Sequence, residues 1–166
     1  MRKIIAEPLT KEAFAPFGNV IEAEEGASFP INNGRTQRFH DLAKVEVAGE
    51  NARVVVSIAR GQPYDLPLTL RMVERHPLGS QAFMPLTARP FLVVVCPDEG
   101  GMPGQPRAFI TKPGQGVNYA RNTWHGVLTP IGEEQDFLIV DRGGDGKNLE
   151  EFFFPEAYEI HLPDQQ

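Results

Sequence analysis

Short apolar runs, broken at close intervals by glycine and proline, set the pattern of this chain. Runs rich in Val, Ile, Phe or Thr occupy 52–59, 68–76, 81–86, 91–96, 107–112, 117–121, 126–130 and 136–141, and each predicts a strand. A first strand is expected at 19–21 and a last at 158–162. One short helix precedes them: Thr10 caps 11–15, Glu12 sits near the positive end of its dipole, and Pro16 and Gly18 end it. The segment 22–42 reads as a polar loop, although Asn32, Asn33, Gly34, Arg35, Arg38 and His40 crowd many donors into it. The breaker cluster 97–104 reads as a surface loop. Phe152, Phe153 and Phe154 are too apolar to stay wet, so they are expected to pack on the barrel and in part to meet another subunit.

Many short strands at this spacing, with 16 glycines and 15 prolines, predict an all-β sandwich or barrel. At 166 residues and 41% hydrophobic content, one domain spanning 1–166 is expected. The net charge of -6, with no Lys/Arg cluster, argues against nucleic acid and for a small-molecule substrate. No apolar stretch reaches the length of a signal peptide or a membrane span, which makes the cytoplasm the expected compartment and excludes a membrane partner. The single cysteine, Cys96, closes an apolar run and reads as a buried small hydrophobe.

Chemistry concentrates in four side chains. In the stretch from Leu70 to His76, strand alternation puts Glu74 and His76 on the same side. Gln81 opens the next apolar run, and His125 comes from a distant segment. Oxygen and nitrogen groups converging from separate strands suit either a divalent metal or a small polar substrate. Burying four such groups together costs desolvation, which a functional site would offset.

The strand spacing, the imidazole at the end of one strand and the run from Pro113 through Gly114 and Gly116 to Trp124 and His125 resemble a cupin, a jelly-roll β-barrel. In the cupin pattern Glu74 stands at the first histidine position, His76 at the second, Gln81 at the glutamate and His125 at the last histidine. A closer resemblance covers nearly the whole chain. Pro8-Leu9-Thr10, Phe14-Ala15-Pro16-Phe17-Gly18, Arg38-Phe39-His40-Asp41-Leu42, the run from Glu74 to Phe83, and Asn122-Thr123-Trp124-His125-Gly126 are together similar to the ureidoglycolate lyase family. That resemblance implies a cupin-like barrel with a short N-terminal helix, a cytoplasmic homodimer, and cleavage of (S)-ureidoglycolate to glyoxylate and urea in allantoin breakdown. It also implies a nickel ion, whose ligands, if a metal is bound, are Glu74, His76, Gln81 and His125.

Such a reaction takes a proton from a hydroxyl and gives one to a leaving nitrogen. Glu74, His76 and His125 are the expected catalytic groups. Gln81 is expected to bind the ureido group, Arg38 or Lys112 the substrate carboxylate, and Tyr119 and Trp124 to wall the pocket. Two other readings stay open at this point: a metal-dependent cupin oxygenase or isomerase, and a non-catalytic module that senses a small acid.

Overall fold

The structure, a computed structural model, describes residues 1–163. Two sheets carry it. The first has eight strands, ordered Arg2–Ile5, Glu150–His161, Leu68–Arg75, Trp124–His125, Phe91–Cys96, Arg107–Ile110 and Glu7–Pro8, with Thr129–Pro130 also pairing to Phe91–Cys96. The second has five, ordered Gly18–Ile21, Gly116–Tyr119, Gln81–Pro85, Gln135–Gly143 and Arg53–Gly61. From Arg53–Gly61 to Phe91–Cys96, and again from Arg107–Ile110 to Trp124–His125, successive strands alternate between the sheets, as a jelly-roll barrel requires, and the cupin-like expectation is met. The helix is a single turn, Lys11–Phe14, whose first backbone donors include Ala13 N–H, bonded to Thr10 Oγ1 at 3.1 Å.

Two apolar clusters explain why the sheets stack. Between them lie Phe14, Phe91, Phe109, Val117 and Phe137, all fully or almost fully buried. Phe137 of the second sheet meets Phe91 of the first edge-on at 5.0 Å, and Phe109 meets Phe14 of the helix at 5.9 Å. The outer face of the first sheet holds the second cluster, where Leu70, Val73, Val94, Cys96, Trp124 and Tyr158 pack. Phe91–Cys96 is buried on both faces and therefore reads as an unbroken apolar run. Burial pushes the Cys96 thiol up to about 12, so it stays protonated and packs as a hydrophobe.

Several expectations need correcting. Arg2–Ile5 and Glu7–Pro8 are strands, and Arg2–Ile5 pairs in parallel with the far end of the chain, a partner no local pattern can reveal. The supposed loop 22–42 contains a two-stranded ribbon, Phe29–Ile31 with Thr36–Arg38, turned by the positive-φ residues Asn32, Asn33 and Gly34. The stretch 126–130 is not one strand, because pairing is confined to Trp124–His125 and Thr129–Pro130. The acidic aromatic tail and the last strand form one long strand, Glu150–His161, with a register shift between Phe153 and Tyr158. Phe152 and Phe154 join the outer cluster, while Phe153 points away and is 67% exposed.

Candidate active site

Cross-strand partners share a face of a sheet, and this rule places the site. His125 lies opposite Glu74 on one side and Val95 on the other. Val95 belongs to the inner cluster, so Glu74 and His125 also face inward. On the second sheet Tyr119 lies opposite Gln81, one step beyond the inner-cluster pair Val117 and Phe83. Both rows meet where the sheets close together. The Tyr119 and His125 rings stack at 4.2 Å with 8° between planes, and His76 lies 5.2 Å from His125 between ring centres.

Inward-facing Glu74 depends on an irregularity. Leu70 pairs with Tyr158 and Met72 with Phe153, which leaves Arg71 outside the ladder. Strict alternation from Leu70 would put Glu74 on Leu70's face, the outer one. The register shift reverses the alternation, so Val73 joins Leu70 outside and Glu74 turns in. Glu74 and His76 still share a side, as the sequence implies, with the carboxylate 3.9 Å from Nε2.

The polar contacts around this pair are directional. His76 Nδ1 is 2.8 Å from the Asn148 carbonyl, and Nε2 is 3.1 Å from Gln81 Oε1. Both ring nitrogens therefore face oxygen atoms, one of the backbone and one of a side chain. Gln81 Nε2 in turn donates to Asp141 Oδ2 at 3.1 Å. His125 is different: it is buried, its Nδ1–H donates to the Gly126 carbonyl at 2.9 Å, and among the described residues its Nε2 has no partner. A bare, buried imidazole nitrogen in such a place wants a proton donor or a metal.

Burial sets the charge states. The Glu74 carboxyl is held above its ordinary value by desolvation, which the nearby His76 opposes and Glu151 reinforces. Desolvation holds His125 down at about 3, against the Gly126 hydrogen bond and with some help from His76. Folded protein thus keeps His125 neutral where the unfolded chain, with a value near 6.5, takes up a proton. Below that pH the unfolded state binds more protons and stability falls, by about 1.4 kcal/mol per pH unit until the folded value is reached. Urea denaturation between pH 7 and pH 5 in the presence of chelator should show this slope, and His125→Gln should remove that share of it.

The other expected residues divide. Tyr119 faces His125 directly. Trp124 does not, because neighbours on a strand point to opposite faces: its ring lies under the Arg75 guanidinium at 4.3 Å and donates to Asp98 at 3.2 Å, behind the sheet. Lys112 is exposed beside Lys11, Glu22 and Glu24, at the turn before Gly116–Tyr119. Tyr119 is at the other end of that strand, about 10 Å along it, so Lys112 is displaced from the four-residue cluster. Arg38 is exposed on the ribbon outside both sheets. Asp141, Asn148 and Glu151 were missed. Asp141 shares the parity of the inward Phe137 and Ile139 and was legible on that ground; Glu151 is brought in by strand pairing and Asn148 by the loop just before that strand.

Ligand atoms of Glu74, His76 and His125 all lie within 4.8 Å of one another, close enough to hold one metal ion. Glu74 and His76 are 22% and 17% exposed, so the group opens to solvent on one side. A jelly-roll barrel with two imidazoles and a carboxylate gathered between its sheets is the arrangement of a cupin enzyme. The comparison with known proteins is specific: the family model described as ureidoglycolate lyase matches residues 1–161. A ureidoglycolate lyase from Chelativorans is 89% identical over 165 residues, covering 99% of this chain and all of that protein. Another from Mesorhizobium japonicum is 68% identical, covering 98% and 100%, and ureidoglycolate lyase 2 of Rhizobium meliloti is 62% identical, covering 92% and 94%. The chain belongs to the ureidoglycolate lyase family.

Proposed function

We propose that Glu74, His76 and His125 carry the reaction of this family, the cleavage of ureidoglycolate into glyoxylate and urea. The chain is a carbon–nitrogen lyase. In the substrate one carbon bears a hydroxyl, a carboxylate and a ureido nitrogen. Removal of the hydroxyl proton lets the oxygen form a carbonyl as the C–N bond breaks, and the electron pair leaves with nitrogen, which takes up a proton as urea. No water is consumed. Glu74, with a carboxyl held above its ordinary value by desolvation, is suited to take the hydroxyl proton. His76 donates to the leaving nitrogen. His125 Nε2 accepts a hydrogen bond from the substrate, and Tyr119 covers its ring face.

The observation that carries this reading is the convergence of the three groups around an unsatisfied, buried His125 Nε2. The same observation fits a divalent metal, and we propose nickel, which accepts imidazole and carboxylate ligands. Glu74, His76 and His125 would hold it, and when bound it would supply Lewis-acid polarisation of the substrate oxygens. A coupled assay for glyoxylate from racemic ureidoglycolate, with and without chelator, tests both proposals. Turnover with half of the racemate consumed is expected, and no release of glyoxylate or urea would end the reading. Metal analysis after gentle purification should find a divalent ion in wild type and far less in His125→Ala.

A homodimer is proposed as well. On the outer face of the second sheet Val54, Val56 and Ile58 are exposed, the last two by 65% each. Val56 lies opposite Val140 and Ile58 opposite Leu138, making a continuous apolar face on an edge strand. A second copy can cover it and shield that edge. Ile58→Glu should shift sedimentation from dimer to monomer, whereas an unchanged dimer would place the interface elsewhere.

A further inference from the structure

The Gln81 amide bridges two groups with opposite demands. On one side is the Asp141 carboxylate, which when ionised only accepts hydrogen bonds. On the other is His76, with Gln81 Oε1 3.1 Å from Nε2. Turning the amide over would set Oε1 against the Asp141 oxygen, two acceptors at hydrogen-bond distance, so Asp141 dictates that the NH2 end faces away from the active site. What Gln81 presents inward is an oxygen. It has two lone pairs, and His76 occupies one.

We propose that Asp141 is a positioning residue that holds the Gln81 carbonyl toward the substrate, and that this oxygen selects a leaving group carrying N–H donors. Urea and the ureido group offer such hydrogens; an ester, a thiol or a fully alkylated amide does not. The inference rests on the proposed roles of the active-site groups and adds the one that recognises the leaving half of the substrate. Asp141 itself does not touch substrate. It lies opposite Val55 of the edge strand Arg53–Gly61 and reaches the site only through Gln81.

Asp141→Asn supplies a donor where there was only an acceptor, which lets the Gln81 amide turn and withdraw its oxygen. Binding of urea, followed directly by saturation-transfer NMR, should weaken about tenfold, and KM for ureidoglycolate should rise by a similar factor with a smaller change in kcat. Tetramethylurea, which has no N–H, should bind poorly to wild type, and Asp141→Asn should leave its binding unchanged. The combined change Gln81→Glu with Asp141→Asn restores an inward acceptor, since the new carboxylate can accept from the new amide and still face the site. That variant should recover urea binding to within about threefold of wild type, a rescue that a purely structural role for Asp141 does not predict. Undiminished urea binding in Asp141→Asn, or no recovery in the combined variant, overturns the proposal. Should Asp141→Asn fail to fold, the combined variant alone decides. Because urea binding is measured without turnover, failure of this proposal is distinct from failure of the catalytic reading, which wild-type glyoxylate release tests separately.

Discussion

Glu74→Gln should lower turnover of ureidoglycolate by about a thousandfold while leaving the protein as stable as before, or more so. The change keeps the shape of the side chain and removes only its ability to take a proton, and loss of a positioned general base costs roughly 10²–10⁴ in rate. Stability should move the other way. A carboxyl held above its ordinary value in the folded state opposes folding once the pH exceeds the unfolded value, because the charged form is better solvated in the open chain. The neutral amide relieves that penalty, and the like charge of Glu151 opposite Glu74 loses its partner in repulsion. Glyoxylate assay and thermal melting at pH 8 should therefore diverge. A rate within tenfold of wild type would remove Glu74 from the chemistry.

The second large effect is structural. Gly18→Ala should cost about 3 kcal/mol or more and lower the melting temperature by about 10 °C. Gly18 sits at φ +151, and a Cβ there would lie 1.9 Å from the Asn118 carbonyl oxygen, an impossible approach to backbone. Relief requires separating Gly18–Ile21 from Gly116–Tyr119, and Tyr119, the residue opposite Gly18, carries the ring stacked on His125. Activity should fall with stability. Gly132→Ala is the control: its φ of +83 is also unusual, but a Cβ meets nothing within 4 Å, so only about 1 kcal/mol is expected. Equal melting shifts for the two variants would show that the close approach is not what constrains position 18.

How much of this was legible in the sequence follows the range over which each feature is determined. The strand 91–96 was read to the residue because burial on both faces is written in its own composition. Glu74, His76, Gln81 and His125 come together in space, since each sits at or next to a strand end and same-side spacing survives small errors of boundary. The reason Glu74 faces inward was not legible. It depends on the register shift opposite Arg71, which belongs to the pairing of two strands far apart in sequence. Lys112 illustrates the converse: the strand expected at 107–112 stops at Ile110, so Lys112 falls in the turn before Gly116–Tyr119, at the end away from Tyr119 and the chemistry. Trp124 shows that adjacency to a functional residue on a strand argues for the opposite face.

Glu150–His161 fills the gap between Leu68–Arg75 and Arg2–Ile5, and it is the strand through which Arg2–Ile5 joins the first sheet. Arg2–Ile5 therefore cannot pair until a segment far along the chain, Tyr158–His161, has been made. Until Glu150–His161 is in place, the Leu68–Arg75 flank bearing Glu74 is an open strand edge, the kind of surface on which extended chains mispair.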